Sequence, residues 1–342
     1  MENVTPKAPL ISIVMPAYNA ERTIELALRS IRMQTIADQI EILVIDGGST
    51  DATREIARQY GAVILENPHR LPEPAKLIGI QRAKGRYIIE QDTDEELLFP
   101  DQLEKRLSLL RAYPEVHLVV VDEQAPGRLG GVATRYVCVC GDPFTQFIYT
   151  RKNGVLDTFR RNIAEQQGNF CLLKFAPGDL TPIGDGGASL FDLEWIKQQF
   201  PQDWNSISFV CSMAQQVQTK SGCCGCIRGD NIHHHTRATF SGYLAKLRFR
   251  VINNLFHKEE SGFSARASQQ PRSRYTSRKY LFVLYAATLV GPLVDSIRLA
   301  LHHKDTTMLL HFVYVYYTCL CIAWYLLRAL LGRPPENKTY GK

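Results

Sequence analysis

An α/β fold, with a mostly parallel sheet flanked by helices and two membrane-crossing helices after it, is what this 342-residue sequence predicts. Three observations predict it. As far as about residue 120, short apolar runs alternate with stretches of helical periodicity. The runs are apolar throughout rather than every second residue, as in strands buried on both faces. Residues 280–331 are strongly apolar, whereas residues 1–240 mix charged and apolar side chains evenly.

Residues 10–15 read as a first strand ending at Pro16, and residues 20–33 as a helix with Ile24, Leu28 and Ile31 on one face. The pattern repeats as strand 40–45 and helix 51–60, then strand 62–65 and helix 73–83. Strand 86–90, helix 100–112 and strand 116–121 complete the series. In sheets of this kind ligands bind beyond the carboxyl ends of the strands, so the loops at 16–19, 46–51 and 91–96 should cluster. Residues 122–180 are less regular and read as an insertion shaping a second substrate's pocket. Strand and helix signals return over 181–240. Residues 243–257 set Leu244, Leu247, Val251 and Leu255 against Lys246, Arg248 and Arg250, the pattern of a basic amphipathic helix or an ordinary surface helix. The Ser- and Arg-rich stretch 261–277 reads as a linker. The expected division is a first domain over 1–240, helix and linker over 241–278, two spans over 279–331 and a tail over 332–342.

Residues 307–327 are interrupted only by His311, and about 20 such residues cross a bilayer core. Residues 280–301 are a weaker span: Asp295 and Arg298 interrupt it, and Gly291-Pro292 should kink it. Those two charges lie three apart, so they share a helix face and can pair. Arg272, Arg274, Arg278 and Lys279 precede the first span, while Arg328 and Arg333 follow the second. The positive-inside rule then places both flanks in the cytosol. The net charge of +6 is modest, and its basic excess lies largely in 243–279, which suits a membrane surface and not nucleic acid. Residues 1–9 are polar and 10–15 too short for a signal peptide, so the first domain is expected in the cytosol. The nine cysteines fit a reducing compartment. Cys223, Cys224 and Cys226 lack a second pair at zinc spacing, with only the histidines 233–235 after them.

Two acidic loops carry the chemistry. Asp46-Gly47-Gly48-Ser49-Thr50-Asp51 follows the second strand. Its glycines permit a tight turn, and Ser49 or Thr50 can cap the next helix. Asp46, at a strand end, can accept hydrogen bonds from a base or ribose. Gln91-Asp92-Thr93-Asp94-Glu95-Glu96 follows the fourth strand. Crowded carboxylates repel unless a cation neutralises them, and hard oxygen ligands suit Mg²⁺ or Mn²⁺ completed by substrate phosphate.

At these spacings the blocks resemble a known family. Ile11-Ser12-Ile13-Val14-Met15-Pro16-Ala17-Tyr18-Asn19-Ala20-Glu21 is similar to the opening strand and loop of the family 2 glycosyltransferases, which have the GT-A fold. Val44-Ile45-Asp46-Gly47-Gly48-Ser49-Thr50-Asp51 resembles the family's second block. Ala83-Lys84-Gly85-Arg86-Tyr87-Ile88-Ile89-Glu90-Gln91-Asp92-Thr93-Asp94 resembles its third, which ends in the Asp-x-Asp signature. The resemblance covers residues 10–112 and thins beyond. It implies that Pro16, Ala17, Tyr18, Asn19, Glu21, Gly48 and Ser49 line a nucleotide-sugar pocket and that Asp46 reads the base. Asp92 would contact ribose or metal, and Asp94 the metal on the donor diphosphate. Where the family often has Ala-Arg-Asn, this chain reads Ala75-Lys76-Leu77, leaving Lys76 as a phosphate contact of point-charge type.

The same resemblance implies transfer with inversion, a carboxylate deprotonating the acceptor hydroxyl. Here the chain departs from the pattern. Ile183-Gly184-Asp185-Gly186-Gly187-Ala188-Ser189-Leu190-Phe191 resembles the family's glycine-rich acceptor stretch, but the acidic pair expected next reads Gln202-Asp203-Trp204. Asp203 is the first candidate base and Asp185 the second. Of the three histidines 233–235, His234 is the expected metal or phosphate contact, and an exposed polar turn is the other reading. The expected partners are a nucleotide-sugar donor, a lipid-linked or saccharide acceptor and the lipid bilayer. A nucleotidyltransferase would place a glycine-rich loop with a basic residue where Pro16-Ala17-Tyr18-Asn19 stands. A non-catalytic membrane-anchored scaffold is the other reading, which the imperfect base motif allows and the intact Asp92 and Asp94 oppose.

Overall fold

A computed structural model of the chain describes residues 8–150, 152, 154–179, 181, 187–236, 239–256 and 274–335, with side chains in the last stretch from residue 281 onward. The expected alternation is present. Strand β1 (Ile11–Ala17) leads to α1 (Ile24–Arg32), β2 (Ile40–Asp46) to α2 (Thr53–Gln59) and β3 (Val63–Glu66) to α3 (Pro72–Arg82). After β4 (Tyr87–Glu90) come the short β5 (Glu95–Leu97), α4 (Gln102–Ala112), β6 (Leu118–Val120) and β7 (Glu123–Pro126). The 122–180 region holds helices α5 (Val132–Cys140), α6 (Pro143–Tyr149) and α7 (Val155–Thr158), then strands β8 (Ile163–Gln167) and β9 (Phe170–Lys174). Strand β10 (Leu190–Asp192), helices α8 (Leu193–Gln199) and α9 (Ile207–Ser221), and strands β11 (Cys223–Ile227) and β12 (Asn231–His234) follow. The rest is helical: α10 (Phe240–Phe256), α11 (Arg274–Ala287), α12 (Val290–His303), a short 3₁₀ turn Thr306–Leu309 and α13 (Leu310–Leu330).

The main sheet has nine strands in the order β3-β2-β1-β4-β10-β6-β11-β9-β8, and a second has three, β5-β12-β7. Strands β3, β2, β1 and β4 run parallel. The sheet is mixed rather than mostly parallel. The short β10 slots antiparallel between β4 and β6, and β9 is antiparallel to both β11 and β8. β1 is buried along nearly its whole length, as a central strand covered on both faces must be.

β1 also continues through Pro16 instead of stopping there. Val14 accepts a bond from Gln91 on the β4 side, whereas Ala17 accepts one from Gly47 on the β2 side. Backbone groups alternate along a strand, so Pro16 faces the β4 side, beyond the last paired residue, Val14. Its missing N–H costs no ladder bond there. Helix α3 lies on β1 at Gly79, where an added Cβ would fall 2.2 Å from Val14 Cγ1, so no larger residue fits.

The chain divides into two compact units. The first comprises residues 1–123, 161–175 and 181–233; the second comprises 124–160, 176–180 and 234–342. In the first, the buried core runs from Ile11, Ile13 and Met15 through Ile24 and Leu28 to Leu103, Leu107 and Leu172. The nine cysteines are free thiols. Cys223, Cys224 and Cys226 are buried in β11, where burial pushes the Cys224 thiol well up.

The second unit is a helical bundle with an aromatic centre. Tyr136 of α5, Tyr243 of α10 and Tyr314 of α13 pack edge to face, their ring centroids 4.7 to 6.0 Å apart. One helix, Thr306–Leu330, is long and apolar enough to cross a bilayer. A second span exists only if Leu281–Ala287 and Val290–His303 count as one, and they are bent by 87°. The break falls ahead of the expected Gly291-Pro292 kink, at residues 288–289. Pro292 sits in the first turn of α12, and a proline ring clashes with the carbonyl four residues earlier, here Thr288. Asp295 and Arg298 pair as expected, with Nη1 3.7 Å from Oδ1.

Candidate active site

The loops after β1 and β2 are zipped together by reciprocal bonds. The Asn19 amide N–H donates to Ser49 Oγ at 2.9 Å, and Asn19 Oδ1 accepts from the Thr50 N–H at 2.9 Å. Ala20 N–H donates to Thr53 Oγ1, Glu21 N–H to Asp51 Oδ2, and Ala52 N–H to Glu21 Oε2. Asn19 holds a left-handed backbone with φ of 48°, a conformation in which asparagine is common. Polar side chains here replace the ladder bonds that end with the strands. Neither Ser49 nor Thr50 caps the next helix, whose N-cap residue is Ala52; Asp51 Oδ1 accepts from the N–H and hydroxyl of Thr53, the first helical residue. Burial pushes the Asp51 carboxyl up, but the bonds from Thr53 and Glu21 outweigh it and hold its pKa below the ordinary value.

Asp46 is fully buried at the base of this turn. Its Oδ2 accepts from the amides of Gly48 and Ser49 at 3.1 and 3.0 Å, and its Oδ1 accepts from the Ser49 hydroxyl. Arg54 Nη1 stands 3.6 Å away. Asp46 therefore shapes the turn, and Gly48 supplies the φ of 85° that the turn needs.

Sequence reasoning missed Arg70, in the loop after β3. Its guanidinium lies 5.7 Å from the centroid of the exposed Tyr18 ring and beside Gly48. Its backbone φ is 53°, held by a loop in which Asn67 bonds to His69 and Leu71. The available signal was one basic residue in a loop beyond a parallel strand, next to the two already singled out. Lys76, on α3, places Nζ 3.0 Å from Glu90 Oε2 at the end of β4.

The acidic loop leaves β4 at the same end of the sheet. Glu95 folds back so that Oε2 accepts from the Asp92 N–H at 3.0 Å, and Gln91 Nε2 donates to the Glu95 carbonyl at 2.9 Å. Gln91 and Glu95 are buried, which leaves Asp92, Thr93 and Asp94 half-buried at the tip.

β5 and β12 are neighbours in the small sheet, and this brings the acidic loop to the histidine run. Glu96 Oε2 lies 3.6 Å from His233 Nδ1. Glu96, His233 and His235 each offer a ligand atom, all within 4.8 Å of one another. Side chains alternate along an extended chain, so His233 and His235 share a face and His234 takes the other. The acidic loop and the histidine run meet here in the trio Glu96, His233 and His235, which does not include Asp92, Asp94 or His234. One carboxylate and two imidazoles form a borderline donor set, suited to Mn²⁺ better than to Mg²⁺.

Gly127 packs face-on against the His235 ring, where an added Cβ would fall 2.3 Å from Nδ1. Gly127→Ala is therefore expected to turn His235 away. Mn²⁺ affinity should fall about tenfold or more in calorimetric titration, with the circular dichroism spectrum unchanged. Unaltered affinity would remove His235 from the cluster.

Asp203, in the turn between α8 and α9, is exposed; its N–H donates to Phe200 and its carbonyl accepts from Ser206. Asp185 lies outside the described residues. Ala188, farther along the same stretch, takes a φ of 49°, and its carbonyl accepts from Arg106 Nη1.

A sheet that gathers zipped nucleotide-type loops and an acidic turn at one end has counterparts among known proteins. The model of glycosyl transferase family 2 matches residues 12–197, and the chain belongs to that family. An uncharacterized glycosyltransferase of Haemophilus influenzae is 36% identical over 112 residues, 30% of this chain and 42% of that protein. The putative glycosyltransferase EpsE of Bacillus subtilis is 34% identical over 118 residues, 32% of this chain and 42% of its own length. The chain thus spans about two-fifths of these curated relatives. A mannosyltransferase of Pyrobaculum calidifontis, solved with GDP-Man and Mn²⁺, superposes with a TM-score of 0.51 at 17% identity, over 93% of this chain and 88% of that one. That likeness is one of fold.

Proposed function

We propose that the protein is a metal-dependent glycosyltransferase that moves a sugar from a nucleoside-diphosphate sugar, with inversion, to an acceptor carried by a lipid at the cytosolic face of a membrane. The observation that carries this reading is the meeting of the acidic turn with the Glu96–His233–His235 cluster, at the sheet end where the β1 and β2 loops are zipped.

In this reading Tyr18, Asn19, Glu21, Gly48 and Ser49 line the nucleoside pocket, floored by Pro16 and Ala17. Asp46 fixes the turn and offers its remaining lone pair to the base. Arg70 closes over the Tyr18 side as a cation for base or phosphate, and Lys76 supplies a second positive charge. Glu96, His233 and His235, with Asp92 and Asp94 from the same acidic loop, would hold Mn²⁺. When bound, the ion supplies positive charge for the departing diphosphate. Asp203 is proposed to take the acceptor hydroxyl's proton, with Asp185 as the second candidate. A lipid-borne acceptor explains why an apolar helical segment accompanies a nucleotide-sugar domain.

The test is nucleoside-diphosphate release by the purified full chain from a panel of UDP- and GDP-sugars, with membrane lipid extract as acceptor. Release should stop on chelation and return with Mn²⁺ more fully than with Mg²⁺. Undiminished turnover after chelation would defeat the metal-dependent reading. For the base, Asp203→Asn should lower kcat by roughly 10²–10⁴-fold with donor KM kept. If Asp185→Asn does so instead, the assignment moves there.

A further inference from the structure

We infer that the C-terminal helices attach the chain by lying in one leaflet of a bilayer, crossing it neither once nor twice. This deepens the membrane reading above and rests on it. It concerns the second unit alone.

Helix α12 has three distinct sides. Pro292, Ser296 and Leu299 are buried in the bundle. Val290, Leu293, Val294, Ile297 and Leu301 form an exposed apolar strip. Between these sides runs a polar edge of Arg298 and His302, with the Arg298 side chain 76% exposed, while Asp295 turns inward to accept from the Tyr285 hydroxyl at 2.9 Å. A helix that crosses a membrane meets acyl chains all round its free surface, so its polar groups turn inward. A helix lying in the interface keeps an apolar strip on one side and a polar edge beside it along its length, as here. Length agrees: 14 residues reach about 21 Å, short of a core about 30 Å thick. The 87° bend before it prevents α11 from supplying the missing turns.

Helix α13 is long enough to cross, but its neighbour opposes it. α10 lies alongside, with Tyr243 and Leu247 grouped with Tyr314, and Val251 with Cys321 and Tyr325. A crossing α13 would draw the α10 residues Lys246, Arg248 and Arg250 toward the acyl core, with Asn253 and Asn254 behind them, against a steep penalty. Nor is α13 the core helix of a soluble bundle, since only 33% of its apolar window is buried. Its free surface presents Val313, Leu320, Trp324 and Leu327, with Leu326 and Leu330 exposed on the adjoining side.

The occupant to which both strips commit is an anionic lipid surface. Exposed Arg248, Arg298, Lys304 and Arg333 border the apolar strips, placing cations where headgroup phosphates would lie. A tryptophan on the α13 strip suits the same boundary.

Sided labelling tests this. Full-length Met33→Cys, Lys304→Cys and Arg333→Cys, all at exposed positions, are treated with a membrane-impermeant maleimide in sealed vesicles of either orientation. The unsubstituted chain gives the background, since eight of its nine thiols are buried. All three positions should react from the same side. Lys304→Cys reacting only from the opposite side would establish the hairpin, and Arg333→Cys alone doing so a single crossing; either overturns the inference while leaving the membrane reading intact. Recovery of the chain in buffer without detergent, as monomer or dimer, would overturn both. Leu293→Glu with Trp324→Glu should weaken partitioning to phosphatidylglycerol-containing vesicles about tenfold or more, and unchanged partitioning counts against the in-plane seat.

Discussion

Asp94→Ala is expected to lower sugar transfer by roughly 10²–10³-fold, with the protein still folded. Bonds that shape the acidic loop come from Gln91 through its side-chain amide, Asp92 through its backbone and Glu95 through its carboxylate. Asp94 stands at the half-buried tip, so removing its carboxylate subtracts charge where the donor diphosphate is proposed to bind. Glu95→Ala should loosen the turn itself, because it removes the acceptor of the part-buried Asp92 amide. Glu96→Ala should raise the Mn²⁺ concentration needed for half-maximal rate. The measurement is nucleoside-diphosphate release against Mn²⁺ concentration, with thermal unfolding as control. If Asp94→Ala kept the wild-type rate and metal dependence, the metal would be held elsewhere.

The first half of the chain is readable in its sequence because β1, β2 and β4 are buried on both faces, so their boundaries are abrupt changes in polarity. Strand β2 and helices α1 to α4 fall within a few residues of their expected limits. The loops at 16–19, 46–51 and 91–96 leave the same end of the parallel strands, as strand direction alone requires. What sequence could not supply is which side chains in those loops finish the turn and which remain for a ligand. Asp46 and Ser49 look alike as pocket residues in a motif, yet in the folded chain each also satisfies backbone amides. The candidate metal trio was hidden for another reason. It depends on β12 pairing with β5 across more than a hundred residues, and then on strand parity, which selects His233 and His235 over His234. Beyond residue 122 the strands shorten to three to five residues, and β10 enters the sheet antiparallel with too few side chains to show a period. In the C-terminal helices, composition indicated apolar surface but not its direction. Only the bend before Pro292 and the neighbour α10 distinguish a helix that crosses from one that lies flat.

The largest effect on stability is expected from Arg106→Met. Arg106 is fully buried, its Nε 2.7 Å from Asp230 Oδ2 and its Nη2 3.0 Å from Asp230 Oδ1, while Nη1 donates to the carbonyl of Ala188. Gln102 adds bonds to Asp230 and to the Asn231 carbonyl. Removing the guanidinium strands a buried carboxylate, a loss of about 3–5 kcal/mol, and releases the carbonyl of a residue held at a left-handed φ. Chemical denaturation should register that loss. Arg106→Met combined with Asp230→Leu should recover much of it, since an apolar pair avoids the desolvation that the lone carboxylate cannot escape. The double variant also separates stability from function. Asp230 opens the turn into β12, three residues before His233, so a chain with restored stability should still bind Mn²⁺ more weakly if this polar hub sets the strand's position. Should the double variant bind the ion as tightly as the native chain, Arg106 and Asp230 hold the core together and do nothing for the site.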